Sequence, residues 1–419
     1  MTIGLGTVIP ARAWRWARRG LGVLALTVLQ VALVLAAGAV VATPAAAIAV
    51  GLAASVALVL PFTLLRARKR RDLRHRVMLA GVSVAVSSAL TLLVVMPSTP
   101  APVAVPAGAL RLEDGTFLAM RTVGADAAPG AVPIVAVHGG PGVPWTEREQ
   151  EVLERLAADR DLVLYDQIGT GASARLDDPR GYTYGRAVSD LEAVIDATST
   201  DRVTLLGYSW GATVALGYAV RHPDRVDRLV FLSPGAFPWD GVAQPPGSPQ
   251  RRLSPGEKAS LYALALQPRN LFIYSMTLTD VGIAHRFAPD AEADARYRDL
   301  YLASAPGLVC DGHEVPDAPD RLGHYANFFP GVEPGHRTGV TPAAVARLDA
   351  HPVLVLRGEC DYLDADIADE YVRELPQVQL ADVADAGHAL LEEQPDEVIG
   401  AIEAFLADEA TAEASDTDE

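Results

Sequence analysis

The stretch LLGYSWGATVAL occupies Leu205–Leu216 and decides how the rest of the chain is interpreted. It places Ser209 between Gly207 and Gly211, after the apolar segment RVTLL and before small and apolar residues at helical spacing. This pattern predicts a sharp strand-to-helix turn that lifts a serine clear of a sheet, with small residues needed on both sides of the strained backbone. Because G-x-S-x-G is short enough to occur by chance, Ser209 is a candidate nucleophile or only a hydroxyl in a turn, and other segments must decide.

Short β-rich runs alternate with amphipathic stretches on both sides of this turn. Two strands are expected to flank the turn EDG at Glu113–Gly115, and further strands are expected in PIVAVHGG, DLVLYDQ, RVTLLGYS, RVDRLVFLSP, HPVLVLRGE and QVQLADVADAGH. Continuous apolar runs are typical of strands buried on both faces, and intervening segments such as AVSDLEAVIDAT have helical spacing. The sequence therefore predicts an α/β fold over residues 110–407, with a mostly parallel sheet and helices on both faces.

The alternation is interrupted at about residues 235–348, where prolines, tyrosines and charges mix and the predicted helices are short. This insertion lies between the strand ending near Ser233 and the strand starting near Pro352. It is expected to form a cap over the carboxyl ends of the strands, which is where ligands bind in open α/β sheets.

An acid and a histidine follow two later strands in the order that a serine nucleophile at such a turn requires. Asp361 comes directly after VLVLRGEC, and His388 comes after the next predicted strand. His388 would act as general base and then general acid, while Asp361 would orient its ring and stabilise the imidazolium. Asp364 is a competing acid about one turn further on, and Asp361 is preferred because it directly follows the strand end.

A tetrahedral oxyanion needs two backbone N–H donors. One is expected from Trp210, the residue after the nucleophile. The other is expected from HGGPG at His138–Gly142, where Gly140 is the first choice and Gly139 the second. A plain loop is the alternative for a Gly-Pro cluster. The pattern implies no metal ion and no organic cofactor.

Three segments together resemble a known family. HGGPG, YDQIGTGAS at Tyr165–Ser173 and GYSWGATVAL are similar to the signatures of the prolyl aminopeptidase (proline iminopeptidase) branch of the α/β-hydrolases. The resemblance covers roughly Leu110–Leu406, except for the insertion. It implies an α/β-hydrolase fold and a serine hydrolase acting on short peptides or aminoacyl amides through an acyl-enzyme.

Two departures from the branch concern the substrate. Ile168 stands where the branch has an arginine, and Trp239 is the only tryptophan in the insertion, whereas the branch has a tryptophan-rich stretch ending in glutamate that helps to bind the substrate's amine. The candidate acids for an amine site are Glu257, Asp280, Asp290 and Glu314. A carboxylesterase or lipase acting on small esters or lipids stays open as an alternative, as does a non-catalytic membrane-bound receptor.

Three apolar runs of about 20 residues precede the α/β region, each long enough to cross a bilayer as a helix. They are Leu21–Ala42, Ala45–Leu65 and Val77–Met96. A cleaved signal peptide is the alternative for the first run, because ATPAAA resembles a cleavage site, but it leaves the other two unexplained. The sequence predicts a membrane domain over residues 1–97 that contacts the lipid bilayer through residues 21–96.

The basic residues predict the orientation of these spans. Four arginines precede the first run, and RARKRRDLRHR at Arg66–Arg76 joins the second to the third. Basic loops stay in the cytoplasm, so three spans would place everything after Pro97 outside the cell membrane. The catalytic domain of this multi-pass protein is thus expected to be extracytoplasmic.

Charge divides the chain at the same place. Residues 1–97 hold 11 of the 35 basic residues and one of the 52 acidic residues, a net of +10, and the remainder has a net of −27. Such an acidic domain argues against nucleic acid as a partner. Proline-rich residues 98–109 are expected to form an extended linker, and acidic residues 408–419 a disordered tail.

The chain has two cysteines, Cys310 in the insertion and Cys360 beside Asp361. Outside the membrane they could form a disulfide that ties the cap to the acid's loop. Two unrelated buried thiols are the alternative.

Overall fold

A computed structural model describes residues 11–41, 43–65, 70–97, 104–124, 131–241, 247–328 and 337–407. The acidic tail predicted at 408–419 and residues 98–103 of the predicted linker lie outside these ranges. The chain divides into two compact units, one formed by Met1–Thr99 with Gln267–Pro289 and the other by Pro100–Leu266 with Asp290–Glu419. The insertion expected at about 235–348 therefore contributes to both units.

The described residues form nine strands and fifteen α-helices. The strands are β1 (Leu110–Arg111), β2 (Phe117–Leu118), β3 (Met120–Val123), β4 (Ile134–Val137), β5 (Leu162–Tyr165), β6 (Val203–Tyr208), β7 (Val226–Leu232), β8 (Val353–Gly358) and β9 (Val378–Val383). The helices are α1 (Ala11–Gly38), α2 (Pro44–Leu65), α3 (Arg70–Val95), α4 (Glu147–Leu153), α5 (Tyr184–Ala197), α6 (Trp210–Ala219), α7 (Pro255–Ala265), α8 (Pro268–Thr279), α9 (Val281–Phe287), α10 (Asp290–Ser304), α11 (His324–Phe328), α12 (Pro342–Val345), α13 (Ala365–Glu374), α14 (Leu390–Glu393) and α15 (Pro395–Ala407).

Two helical segments of the N-terminal unit, rather than the three predicted, are long and apolar enough to cross a membrane within the described residues. They are Gly20–Gly38 in α1 and Arg74–Val95 in α3, with 19 and 22 residues. The apolar segment of α2, Pro44–Val59, is shorter, and α2 contains Pro61. Only 11% of each long segment is buried, whereas the core helix of a soluble protein is mostly buried. A signal sequence would also have the character of the first segment.

One buried polar side chain joins the three N-terminal helices. Gln30 of α1 is fully buried, and its amide nitrogen lies 2.9 Å from Ser55 Oγ of α2 and 3.1 Å from Ser88 Oγ of α3. Thr91 Oγ1 donates to the Gln30 carbonyl oxygen at 3.2 Å. These hydrogen bonds join α1 to both α2 and α3.

The other unit is built on a seven-stranded sheet in the order β3-β5-β4-β6-β7-β8-β9. All neighbouring pairs are parallel except β3 with β5, and β1 and β2 form a separate antiparallel pair. The predicted mostly parallel sheet and the two strands around Glu113–Gly115 are thus confirmed. The edge strand β3 was not predicted, so HGGPG follows the fourth strand in the chain and not the third. Half of the side chains of β3 are exposed, and such a strand lacks a continuous apolar run.

Alternate residues of the central strands pack on opposite faces of the sheet. Leu206 and Val230 point into a buried core that also contains Val152, Val398 and Ile402 from the α4 and α15 segments. The neighbouring residue of β7, Phe231, packs instead against Tyr371 of α13, with ring centroids 5.3 Å apart. Helices therefore cover both faces, which explains the continuous apolar sequences of β6 and β7.

Candidate active site

The turn between β6 and α6 holds Ser209 in a strained backbone conformation. Its φ is 52° and its ψ is −114°, in a region that side chains other than glycine rarely adopt. A β-carbon on Gly207 would lie 2.5 Å from the α-carbon of Ala212, and one on Gly211 would collide with the carbonyl oxygen of Val137. Both glycines of G-x-S-x-G are required by close approach of the backbone, as the sequence predicted.

His388 and Asp361 lie together, at the ends of loops that follow β9 and β8. The Nδ1 atom of His388 is 3.0 Å from both carboxylate oxygens of Asp361. Both side chains are almost completely buried. Because Nδ1 is engaged by the carboxylate, Nε2 is the ring atom that can exchange a proton with another group.

The surroundings of Asp361 favour its ionised form. Burial acts to raise the pKa of the Asp361 carboxyl, but the charge of His388 and hydrogen bonds from His388 and the Leu363 amide outweigh burial and lower the pKa below its ordinary value. Asp364 is exposed instead, and its carboxylate lies 3.2 Å from Arg251 Nη1. Of the two candidate acids, the structure brings Asp361 and not Asp364 to His388.

Side chains that the sequence analysis did not select fix the position of His388. Tyr208, the residue before Ser209, donates its hydroxyl to the His388 carbonyl oxygen at 2.6 Å. Its ring stacks on the imidazole, with ring centroids 5.4 Å apart. The ring of Tyr362 also packs on the imidazole, with ring centroids 4.6 Å apart. The backbone amide of His388 donates to the Leu308 carbonyl oxygen at 2.7 Å. Tyr208 and Tyr362 each adjoin a candidate residue in sequence, which is the only signal that could have found them.

Gln167 of the YDQIGTGAS motif connects the two segments expected to form the oxyanion site. Its backbone N–H donates to His138 Nε2 at 2.9 Å, and its side-chain amide donates to the His138 carbonyl oxygen at 2.8 Å. Trp210 Nε1 donates to Gln167 Oε1 at 3.2 Å. A β-carbon built on Gly139 would lie 3.4 Å from Ser209 Cβ, whereas Gly140 has a φ of 115° in the turn that follows. The motif thus aligns HGGPG with the start of α6.

His138 is a structural residue. Burial lowers the pKa of its imidazole to about 4, so the ring is neutral near pH 7. Since Nε2 accepts the Gln167 N–H, Nδ1 carries the proton and donates to the Gly139 carbonyl oxygen at 2.9 Å. The neutral His138 ring therefore joins the HGGPG loop to the backbone of Gln167.

Cys310 and Cys360 form a disulfide, with α-carbons 5.7 Å apart, which confirms the proposed pairing. Glu393 reinforces the connection, because its carboxylate accepts the N–H groups of Cys310 and Gly387 at 2.7 and 2.8 Å. The segment around Cys310 is therefore bonded to the loops that carry both Asp361 and His388.

The acids proposed for an amine site have structural roles or exposed positions. Glu257 and Asp280 cap the N-termini of α7 and α9, Asp290 lies in the first turn of α10, and Glu314 is exposed. The indole nitrogen of Trp239 donates to Glu370. Glu257 and Asp280 therefore serve as helix-capping residues.

Two other acids, at the start of α4 and in α14, accept hydrogen bonds from Thr146. Glu149 is buried and accepts the Thr146 N–H at 2.8 Å, and Glu392 accepts the Thr146 hydroxyl at 2.7 Å. Burial raises the pKa of Glu149 to about 8, with a further contribution from the charge of Glu392. The charge of Glu149 in turn contributes to a raised pKa of Tyr208, after burial. Neither acid was predicted as a site residue, because the helix signals around both residues gave them no distinct role.

Residues 132–395 match the family model described as alpha/beta hydrolase fold. The chain belongs to this family. Among its described residues, no group of three or more His, Cys, Asp or Glu side chains is arranged to hold a metal ion.

Individual relatives carry different names. The cis-3-alkyl-4-alkyloxetan-2-one decarboxylase of Shewanella oneidensis is 27% identical over 290 residues, which cover 67% of this chain and 83% of that protein. The proline iminopeptidase of Heyndrickxia coagulans is 38% identical over 105 residues, covering 25% of this chain and 36% of that protein. This α/β hydrolase thus matches about a third of that iminopeptidase. The solved structure of the Mycobacterium smegmatis proline iminopeptidase has a TM-score of 0.48 at 20% identity, covering 73% of this chain and 98% of that one.

Proposed function

We propose that this protein is a serine hydrolase that uses Ser209, His388 and Asp361 through an acyl-enzyme. The observation that carries the proposal is the contact of His388 Nδ1 with both oxygens of the buried Asp361, on a loop bonded to the tyrosine that precedes the strained Ser209. His388 Nε2 takes the proton of Ser209 as the hydroxyl oxygen attacks a carbonyl carbon, and then gives that proton to the leaving group. Water hydrolyses the acyl-enzyme in the same way.

The oxyanion is bound by two backbone N–H groups. The first is that of Trp210 at the start of α6, where the helix dipole also favours negative charge. The second is that of Gly140, with Gly139 as the alternative because Gly139 lies against Ser209. The contacts of Gln167 with His138 and Trp210 support this pairing, since they hold both donors' segments in one arrangement.

The preferred substrates are short peptides or aminoacyl amides, as for a proline iminopeptidase. The shared motifs and the matches to proline iminopeptidases support this choice. The carboxylate of Glu392, which accepts the Thr146 hydroxyl, supplies negative charge that would pair with a substrate's amine, in place of the glutamate of the branch's insertion. Of the acids named from the sequence, Glu257 and Asp280 are engaged in helix caps.

A carboxylesterase acting on small esters or lipids is the second candidate. It is favoured by the similarity over 290 residues to the Shewanella oneidensis decarboxylase. The named substrate of that enzyme is an oxetan-2-one, which is a cyclic ester. The catalytic steps would be the same, because Ser209 would attack an ester carbonyl in place of an amide carbonyl.

We further propose that the N-terminal helices anchor the protein in the cell membrane, with the hydrolase unit on the extracytoplasmic side. The low burial of the two long apolar helices supports the anchor, and so do the contacts of Gln30 with both α2 and α3, which a cleaved signal peptide would not need. The disulfide supports the location, because disulfides persist outside the cytoplasm.

The test uses the full chain in detergent or vesicles. Chromogenic proline, other aminoacyl and peptidyl anilides are compared with short- and long-chain acyl esters, and hydrolysis of an aminoacyl anilide with a free amine is expected to be fastest. Ser209→Ala should lower the rate by about 10⁵ to 10⁶-fold because it removes the nucleophile. It should also abolish labelling by a fluorophosphonate.

Ser260→Ala is the matched control, because Ser260 is an exposed serine of α7. It should leave hydrolysis and labelling unchanged. Equal fluorophosphonate labelling of the parent and of Ser209→Ala would refute the assignment of the nucleophile. Faster turnover of acyl esters than of every anilide would select the second candidate.

A further inference from the structure

Helix α8, from the insertion, carries its charged residue on its buried side. Its only charged side chain, Arg269, is buried, as are Asn270 and Thr277, beside Phe272 and Ile273. On the exposed side, Leu271 and Leu278 are 45% and 55% exposed. The other exposed residues of this helix are Pro268, Tyr274, Ser275 and Thr279. A helix that faces water normally presents charged residues outward, and α8 presents none.

The helices α8 and α9 belong to the same compact unit as the N-terminal helices and pack on them. Their side chains share a buried core with residues at the end of α1, the start of α2 and the end of α3. The members of this core are Val34, Ala37, Ala47, Ile48, Val95, Phe272, Ile273, Ile283, Phe287 and Ala288. The segment Gln267–Pro289 is therefore part of the N-terminal unit although it is far away in sequence.

Two arginines place α8 and α9 at one end of the long apolar segments of α1 and α3. The guanidinium of Arg269 donates to the carbonyl oxygens of Val94 and Phe287, each at 2.6 Å. Arg286 donates to the carbonyl oxygen of Gly38 at 2.7 Å. Gly38 and Val95 are the last residues of the two candidate spans. Both arginines thus satisfy terminal carbonyl groups that would otherwise lack partners at the helix ends.

From this arrangement we infer that α8 is an interfacial helix, whose Leu271 and Leu278 insert into the outer surface of the lipid bilayer. The inference rests on the proposed membrane anchor. If α1 and α3 cross the bilayer, their ends at Gly38 and Val95 mark its boundary, and α8 lies at that depth. Two further apolar side chains are exposed at this end of α3, since Leu93 is 76% exposed and Met96, the residue after the helix, is 62% exposed.

Lipid is the occupant that fits this face best. An interfacial helix buries its apolar side at the boundary between headgroups and acyl chains, and leucine side chains seven residues apart lie on one side of a helix. The inference gives the hydrolase a second membrane contact, made by the insertion itself and distinct from the spans. Such a contact would place this part of the insertion among membrane lipids.

Site-directed fluorescence in the full chain tests the inference. Single cysteines are introduced as Leu271→Cys and Leu278→Cys and alkylated with an environment-sensitive fluorophore without reductant, so that Cys310 and Cys360 stay paired. Val86→Cys in α3 is the reference for lipid contact, and Val372→Cys in α13 is the matched control. Both are partly exposed valines on helices. Each labelled protein is reconstituted into phosphatidylcholine–phosphatidylglycerol vesicles, with or without nitroxide on the acyl chains.

We expect blue-shifted emission and nitroxide quenching at positions 271 and 278 as strong as at position 86, and no quenching at position 372. Quenching at 86 without quenching at 271 and 278 would overturn the interfacial helix and leave the anchor intact. A blue shift at 278 without quenching would mean that protein and not lipid covers this face, which also overturns the inference. Absence of quenching at 86 would overturn the anchor itself. Unchanged thermal unfolding midpoints show that the variants are folded.

Discussion

For single residues, the histidine of the proposed triad is positioned by four groups that lie on three segments of the chain. Asp361 engages its Nδ1, Tyr208 and Tyr362 pack on its ring, and the Leu308 carbonyl oxygen accepts its backbone N–H. A ring held in this way loses little conformational freedom when a proton transfer begins, which is what a general base needs. The role of each neighbour can be separated by substitution.

Replacement of Asp361 should lower kcat strongly, whereas replacement of the nearby Asp364 should not. Asp361→Asn keeps the shape of the side chain but favours the wrong tautomer of His388, so kcat is expected to fall by about 10⁴-fold. Asp364→Asn is the matched control, because Asp364 is exposed and contacts Arg251, and its kcat should be unchanged. Steady-state kinetics on the best substrate measure both. A large loss with Asp364→Asn and none with Asp361→Asn would reverse the assignment.

At the scale of secondary structure, the N-terminus of α4 combines a strong cap with a buried acid. Thr146 and Glu149 form a capping box, in which each side chain accepts the backbone N–H of the other residue. Burial raises the pKa of Glu149 from an ordinary value of 4.5 to about 8. The cap thus holds a carboxyl group that stays protonated near pH 7.

This acid should make stability depend on pH in a defined direction. Glu149 ionises near pH 4.5 in the unfolded chain, whereas in the folded protein it keeps its proton until about pH 8. The free energy of unfolding should therefore fall as the pH rises between these two values. Glu149→Gln keeps an acceptor for the cap but does not ionise. The thermal unfolding midpoint of the variant should equal that of the parent at pH 4.5 and exceed it at pH 8. A constant difference across this range would contradict the raised pKa.

The disulfide joins Cys310, two residues after the Leu308 carbonyl that accepts the His388 N–H, to the loop of Asp361. It closes a loop of 50 residues, which corresponds to about 4 kcal/mol of stabilisation in the entropic model. Reduction should therefore lower the denaturant midpoint of unfolding. The double variant Cys310→Ser, Cys360→Ser should start at the lower midpoint and not respond to reductant. Two free thiols titrated in denatured, unreduced protein would show that the bond does not form.

At the scale of the whole molecule, the proposed orientation depends on one helix more than on the number of spans. The segment Arg74–Val95 in α3 lies between a basic loop and the hydrolase unit, and it meets the length and composition of a span. If α3 crosses the membrane, its two ends lie on opposite sides whether or not α2 also crosses. The basic residues before α3 then assign the cytoplasmic side.

Labelling of intact cells checks this orientation. A membrane-impermeant maleimide should react with Val372→Cys in the hydrolase unit and should react with His75→Cys at the start of α3 only after permeabilisation. Both positions are exposed, so access and not burial decides the reaction. Reaction of position 75 alone in intact cells would reverse the orientation. Equal reaction of both positions in intact cells would show that α3 does not cross.

The α/β class and the residues of the proposed triad could be predicted from local sequence signals. Strands buried on both faces have continuous apolar sequences, and the glycines around Ser209 reflect a close approach within a few residues, so both signals are local. The edge strand β3 lacked such a signal because it is half exposed. Asp361 and His388 could be selected in the correct chain order because each follows a strand that was predicted from the sequence.

Contacts between groups far apart in the chain could not be predicted from the sequence. Asp361 rather than Asp364 reaches His388, Gln167 joins His138 to Trp210, and Glu149 becomes a buried acid beside Tyr208. The insertion, which the sequence treated as one cap, gives α8 and α9 to the N-terminal unit. These outcomes depend on packing between segments far apart in the chain, and the periodicity of each segment alone does not encode its partner.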